Sequence, residues 1–362
     1  MKEYYNTFME QYLPNYTLNN IILKNFEEIA RMQGELSAIS GSVDNELEIM
    51  ALANVDAVHY STRIEGNKLT LKQVTKALSG NLNGFRQERN LKEVLNYAKV
   101  RSLLFEKADQ GNILTGSLIL EVHRLLEKGI VEGTLKGHFR DGQNVIRDSK
   151  TGAIVYLPPE YQEVPQLMKS LIAFIIDSRL KNISPLILAP VFHYRFVTIH
   201  PFMDGNGRIA RLFTNFIAYS SGYNIAKYAA LEKQHEKNMG AYYKALRKLQ
   251  GNNFYAIPKD INITSWLEYW LFCMKETYKE ALERVGNIAG TLDTINPTPN
   301  RLSRALGIFK RHKTLNAAQY QTLMGLGRTQ AVADLNELVK KGQIKKIGGG
   351  RSTIYKISTL SD

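Results

Sequence analysis

The sequence predicts a mainly α-helical protein with one β-hairpin in its middle and a small basic module at its end. Three observations carry this. Apolar residues recur at helical intervals through much of the first hundred residues and again between 163 and 292, the spacing that lines one side of a helix. Two short β-prone runs, 144–147 and 153–156, flank the turn cluster Asp148-Ser149-Lys150-Thr151-Gly152, a hairpin signal. A proline-containing break, Asn296-Pro297-Thr298-Pro299-Asn300, then precedes a tail of different charge, and such breaks mark domain boundaries.

Taken in order, residues 20–30 and 46–60 carry apolar side chains at helical spacing. Ser61-Thr62-Arg63-Ile64-Glu65-Gly66-Asn67 ends the second helix, with Gly66 or Asn67 suited to a left-handed cap. A further helix starts at Thr70-Leu71, and 90–106 form a long amphipathic one. The central block, 115–249, opens with a helix over 117–126, and its texture changes at Lys136-Gly137-His138-Phe139-Arg140. After the hairpin, Leu157-Pro158-Pro159 stops the strand, and helices are expected over 163–176, 185–196, 208–219, 241–249 and 263–292. Three short helical patterns follow the break, the last over 329–341 with Thr329 as N-cap. Two β-prone arms, 342–347 and 352–357, flank Gly348-Gly349-Gly350-Arg351. The resulting expectation is a helical N-terminal region over 1–105, a central core with supporting helices over 106–295, and a basic module over 296–362.

Composition narrows the function classes. At 362 residues the chain exceeds one ordinary domain. The single cysteine, Cys273, excludes an intramolecular disulfide and a thiolate zinc cluster, which fits a reducing compartment. Met1-Lys2-Glu3-Tyr4-Tyr5 does not open a secretory signal, because no apolar core follows. The apolar runs 167–176 and 185–199 are broken by Lys169, Pro190, His193 and Arg195, so no membrane partner is expected. The protein reads as cytoplasmic. Its net charge of +13 is unevenly spread: residues 301–362 hold twelve Lys/Arg against three Asp/Glu, net +9. A basic module suggests an acidic partner, nucleic acid first.

The most informative segment is His200-Pro201-Phe202-Met203-Asp204-Gly205-Asn206-Gly207-Arg208, with Arg211 three residues on. Glycines that free backbone amides just before a helix make an anion site, since the first helical N–H groups lack partners and the dipole favours negative charge. Asp204 is suited to hold a magnesium ion against phosphate oxygens. Arg208 and Arg211 share a helix face and can clamp phosphates. His200 stands outside the loop as a base for an incoming hydroxyl. Phe202 reads as packing. His193 lies one heptad before His200; a metal pair is conceivable, but a satisfied core histidine fits an apolar helix better.

The segment resembles the signature of the Fic family, His-x-Phe-x-(Asp/Glu)-Gly-Asn-Gly-Arg-x-x-Arg, at every fixed position. The resemblance spans roughly residues 50–250. It implies a helical Fic core that transfers AMP from ATP to a Ser, Thr or Tyr hydroxyl of a protein target, with Mg2+ and with self-modification among its outcomes. By the same resemblance, Gly205, Asn206, Gly207 and Arg208 hold the nucleotide, Arg211 takes the γ-phosphate, Asp204 the metal, and His200 deprotonates the target. The intact Gly205-Asn206-Gly207-Arg208 stretch favours nucleotidyl over phosphoryl transfer. The hairpin matches the family's flap, implying target docking by Asn144, Val145, Ile146, Ile154, Val155 and Tyr156. Ser61-Thr62-Arg63-Ile64-Glu65-Gly66 resembles the family's inhibitory pattern and implies that Ser61 and Glu65 oppose Arg211, within an inhibitory helix near 46–66. Tyr242-Tyr243-Lys244-Ala245-Leu246 resembles the helix that borders adenine, with Tyr243 as the contact or as packing.

The tail, helices closed by a basic hairpin, resembles a winged helix-turn-helix. Lys340, Lys341, Lys345, Lys346 and Arg351 can grip phosphates while 329–341 enters a groove. This sustains an alternative reading, a DNA-binding transcriptional regulator with the Fic core as nucleotide sensor. A target-docking or homodimer module is the other use for the tail.

Overall fold

Residues 15–40, 46–85, 89–131, 136–148, 151–258, 260–293, 299–324, 326–349 and 353–358 are described in a computed structural model. The opening Met1–Tyr5 stretch, the Ser149–Lys150 turn, most of the 296–300 break, and Gly350 with Arg351 lie outside the described residues. Among the described residues, helices are α1 (Asn20–Ser40), α2 (Glu46–Ile64), α3 (Leu71–Leu78), α4 (Arg89–Asp109) and α5 (Gly116–Leu126). The hairpin β1 (Ile146–Arg147) and β2 (Ile154–Tyr156) follows. Then come α6 (Val164–Leu180), α7 (Pro185–Ile199), α8 (Asn206–Tyr219), α9 (Leu231–Lys237), α10 (Met239–Gln250) and α11 (Thr264–Asp293). The C-terminal elements are α12 (Pro299–His312), β3 (Thr314–Asn316), α13 (Ala317–Met324), α14 (Arg328–Lys340), β4 (Ile344–Ile347) and β5 (Ile354–Ile357).

The chain divides into two compact units, Met1–Gln33 with Met50–Ala281, and Gly34–Ile49 with Leu282–Asp362. In the larger unit the core is built on α7. From Leu186 to Ile199 every residue except Arg195 is buried, as expected of a helix that is apolar all round. It packs along α8, so the loop joining them, 200–205, is pinned at both ends. The helix runs through Pro190 without ending, and the Pro190 carbonyl accepts from Trp266 Nε1 at 2.7 Å. Trp266, Trp270, Phe192, Phe196 and Phe213 are fully enclosed, each large apolar side chain contributing on the order of 1.5–3 kcal/mol by leaving water. His193 is a satisfied core residue: its ring nitrogens lie 3.1 Å from Thr214 Oγ1 and 2.9 Å from Tyr242 OH.

The smaller unit packs α12, α13 and α14 on an antiparallel sheet of order β3-β5-β4, around Leu302, Phe309, Tyr320, Leu335, Leu338 and Tyr355. Asp334 is wholly buried there and receives Arg301 Nε at 2.8 Å, Arg301 Nη2 at 2.6 Å and Tyr320 OH at 3.0 Å. Enclosure of that carboxylate is tolerable because its charge is met by a guanidinium fork.

The mainly helical expectation holds, with local differences. α8 begins at Asn206, two residues before the expected start, so Gly207 lies in its first turn. The expected cap Thr329 is inside α14; Gly327 is the cap residue, and its N–H donates to Gln330 Oε1 at 3.3 Å. The expected flap arms shrink to two and three residues. Asn144 and Val145 precede β1, and Asn144 Nδ2 instead donates to the Phe202 carbonyl at 3.0 Å. Helix α9 and strand β3 were not expected. No helix among the described residues is long and apolar enough to cross a membrane.

Candidate active site

The residues of 200–211 converge because the loop closes on itself. His200 caps α7 in a left-handed conformation, φ 52° and ψ 59°. Gly205, φ 81°, is the cap of α8; a side chain there would collide with Glu127, so the turn demands glycine twice over. Asn206 clips the loop, its Oδ1 accepting from Phe202 N at 2.9 Å and its Nδ2 donating to Phe202 O at 2.7 Å. The side chain expected among the nucleotide ligands is therefore spent on the loop, leaving only backbone for a ligand. Phe202 is buried and stacks on His123 at 3.8 Å.

His200 Nδ1 lies 3.3 Å from the Val197 carbonyl. A carbonyl only accepts, so this nitrogen carries the proton and Nε2 is left as the basic one. Burial pushes the imidazole down to about 4, with the Val197 carbonyl and Glu65 pulling the other way. The ring is thus neutral at neutral pH. Arg140 braces the loop from outside: its backbone N–H donates to Pro201 O at 2.9 Å and its Nε to His200 O at 3.0 Å.

Arg211 is 2% exposed and is held by the end of α2. Its Nε donates to Ser61 Oγ at 2.9 Å, and its Nη2 to Ser61 O at 2.9 Å and to Glu65 Oε1 at 2.8 Å. Burial alone would loosen its proton, but the adjacent Glu65 carboxylate tightens it and keeps the guanidinium charged. Glu65 lies just past α2, in the turn closed by Gly66 at φ 91°. Its Oε1 presses on Gly207 so closely that any Cβ at that position would overlap it. A carboxylate thus already occupies the amino end of α8, where an anion is best stabilised.

Asp204 is also engaged. Its Oδ1 accepts from Gly205 N at 2.6 Å and Arg208 Nη2 at 3.1 Å, and its Oδ2 from Arg89 Nη2 at 2.5 Å. Burial opposes its ionisation, but Arg208, the Gly205 amide and Arg89 together hold the carboxyl below its usual range. Arg208, expected on the phosphates, is 2% exposed and lies beneath the loop between Asp204 and Glu127, 3.1 Å from each carboxylate. Its Nε and Nη1 are buried without a partner. Glu127 is wholly buried at the end of α5, and burial pushes its carboxyl up to about 7 against the pull of Arg208.

Tyr243 is half-buried; its ring centroid lies 5.1 Å from that of Tyr242, with the Arg247 guanidinium 5.9 Å above. In the hairpin, Ile146 pairs with Tyr156 and Arg147 with Ile154. Tyr156, expected to face a docking partner, points inward: it is 2% exposed and its OH donates to Thr198 O at 2.9 Å. Ile154 is exposed, and Ile146 and Val155 are half-buried. Sequence reasoning missed Arg89, Glu127 and Arg140. Only Arg140 left a trace, at the change of texture before the hairpin.

This geometry sits within a region recognisable by comparison. Residues 113–218 match the model of the Fic/DOC family, and the chain carries a Fic domain there. Its sequence is 34% identical over 172 residues to a protein named protein adenylyltransferase fic-1 from Caenorhabditis elegans, covering 46% of this chain and 32% of that one. It is 29% identical over 173 residues to protein adenylyltransferase Fic from Nematostella vectensis, covering 46% and 38%. The matches thus span about a third of the length of these relatives. The fold is that of a Fic family protein from Desulfovibrio desulfuricans, with a TM-score of 0.65 at 23% identity over 96% of this chain and 99% of the other.

Two outcomes test the site's physics. Gly207→Ala should destabilise the protein by about 1–3 kcal/mol, the cost of an overpacked contact. In a Glu65→Gly background the same change should cost little, and urea titration of the four proteins measures that coupling. The His200 ring should titrate near 4 by NMR. An unfolded histidine takes its proton near pH 6.5, so this group's contribution to stability should be full above that value and fall as the pH drops toward 4.

Proposed function

We propose that this chain is a self-inhibited protein adenylyltransferase, moving AMP from ATP to a Ser, Thr or Tyr hydroxyl of a protein target. The observation that carries the reading is the placement of Glu65 on Gly207 and Arg211, a carboxylate standing where a terminal phosphate would go. Supporting it are the Fic domain and the adenylyltransferase names of the relatives.

The target hydroxyl gives its proton to His200 Nε2 while its oxygen bonds to the α-phosphorus; the bond from that phosphorus to the pyrophosphate oxygen breaks. First-turn amides of α8 face the charge that builds on the phosphate oxygens, preorganised donors of the kind that dominate such catalysis. Arg211, once released by Glu65, takes the γ-phosphate. Tyr243 borders the adenine. Asp204 would hold the magnesium ion, which neutralises phosphate charge. The donor fits that ion: magnesium commonly uses one or two carboxylates with substrate phosphates and water, and the Asp204 side chain keeps 40% exposure. The exposed part of the hairpin edge receives an extended target segment by main-chain pairing, bringing its hydroxyl to His200.

A second reading concerns the C-terminal module, which we take as winged-helix-like. Lys345 and Lys356 are direct cross-strand partners on β4 and β5, both exposed. Like charges set opposite each other cost stability, so an external counter-charge would relieve them. Among the described residues, Asp334 is committed to Arg301 and Glu337 to Lys341 at 3.6 Å. Nucleic-acid phosphate would supply that counter-charge, with α14 as the groove element and Lys340, Lys341 and Lys346 as further contacts; Arg351 lies outside the described residues.

Intact-mass measurement with ATP and magnesium tests the first reading. Glu65→Gly should raise AMP transfer, including self-modification, and adding His200→Ala should cut it by about 10²–10⁴-fold, the worth of a general base. An unchanged mass gain in Glu65→Gly removes the switch. For the second reading, duplex DNA binding by the full chain should weaken with salt. The Lys345→Gln/Lys356→Gln pair should lower the log–log salt slope by about 2, one per lost phosphate contact.

A further inference from the structure

The inhibitory contact at Arg211 has a counterpart of opposite sign at Asp204. Arg89 is the first residue of α4, and its side chain is 58% exposed. It reaches across to Asp204, placing Nη2 at 2.5 Å from Oδ2, while its Nε donates to Glu93 Oε1 at 2.9 Å. The other Asp204 oxygen is taken by the Gly205 amide and Arg208. A divalent cation binds a carboxylate through its oxygen lone pairs, and these are shared here among three donors. Arg89 is the one donor of the three that can leave, because Gly205 is backbone and Arg208 is enclosed.

The two blocking groups are also joined. Glu93 accepts from Asn67 Nδ2 at 2.9 Å. Asn67 lies two residues after Glu65, its own N–H donating to the Thr62 carbonyl at 3.1 Å. The turn that delivers Glu65 to Arg211 is therefore tied, through Asn67 and Glu93, to the side chain that covers Asp204.

We infer that Arg89 is a tethered stand-in for the metal's charge, so that the site is closed by an internal copy of both halves of a metal–triphosphate: Glu65 on Arg211 and Arg89 on Asp204. The inference rests on the adenylyl-transfer reading and extends it to the control of metal entry. Removing Glu65 frees only the phosphate seat; the metal must still displace Arg89.

The test uses the full chain in the Glu65→Gly background. Calorimetry follows ATP uptake across a magnesium series, and again in EDTA, for the parent, Arg89→Gln and Arg89→Met. Both substitutions should lower the magnesium concentration giving half-maximal uptake by about three- to fivefold, the scale of a half-exposed ion pair. Uptake in EDTA should stay within about twofold, since an ion pair on Asp204 makes no call on the nucleotide itself. Melting temperatures confirm that each variant is folded; Arg89→Met keeps the stem and its packing if Arg89→Gln does not fold. An unchanged or higher magnesium requirement overturns the proposal. Weaker uptake in EDTA also overturns it, because Arg89 would then be a phosphate ligand. Failure of every protein to take up ATP overturns the adenylyl-transfer reading itself and this one with it.

Discussion

The constraint on which the rest depends is the seating of one buried guanidinium. Arg211 lies on the inner face of α8, almost without exposure, and three of its hydrogen bonds go to Ser61 and Glu65 at the end of α2. A buried charge of this kind is tolerable only while it is met. The site therefore has two ways to be satisfied, by its own carboxylate or by an anionic ligand, and an empty, unpaired arrangement is the costly one. Charge-assisted bonds of this kind contribute about 1.5–3 kcal/mol each. Behind this seat Tyr97 OH and Asn215 Nδ2 both donate to the buried Glu232, so the surroundings of α8 are themselves held by polar contacts.

The same logic recurs along the loop. Glu93, Arg89, Asp204, Arg208 and Glu127 form a line of alternating charges, each within ion-pair distance of the next. The line sets three carboxylates against two guanidiniums, so each arginine is shared between two acids. It is also uneven. Arg208 and Glu127 are enclosed, whereas Arg89 and Asp204 keep substantial exposure. Change enters from the exposed end, while the enclosed end keeps the loop in shape. Burial raises the Glu127 carboxyl, and the pull of Arg208, shared with Asp204, does not offset it.

The mainly helical architecture and the Fic domain were legible in the chain because their signals are local. Helical periodicity is written into α4 and α8, and the signature segment packs its functional groups into twelve positions. What was not legible depends on distance. Arg89 and Asp204 are separated by 115 positions, and Arg140 and His200 by 60; nothing in a short window distinguishes either arginine from a solvated one. Glu127 reads as an ordinary charged helix end and becomes special only because α5 stops against Gly205. Asn206 was read for the ligand it might touch, while its amide does the quieter task of closing a five-residue loop. Tyr156 sits in a strand whose burial runs from exposed Ile154 through half-buried Val155 with no alternation, so the inward side of so short a hairpin is decided by α7 and not by the pattern. Strand β3 is only three residues long, too brief for periodicity to show.

Tyr156 has a wider meaning than its burial. Its phenol is moored to the carbonyl of Thr198, and Gln250 Nε2 donates to the hydroxyl of the same threonine at 3.1 Å. That residue stands two positions before His200, so hairpin, α7 and α10 share one fixed point beside the imidazole. A peptide aligned on this ribbon would be gauged against a datum that cannot slide, because slippage by one residue would reverse which side chains look inward. Were a target segment to dock there, selectivity would be a matter of length along the main chain, a ruler and not a lock.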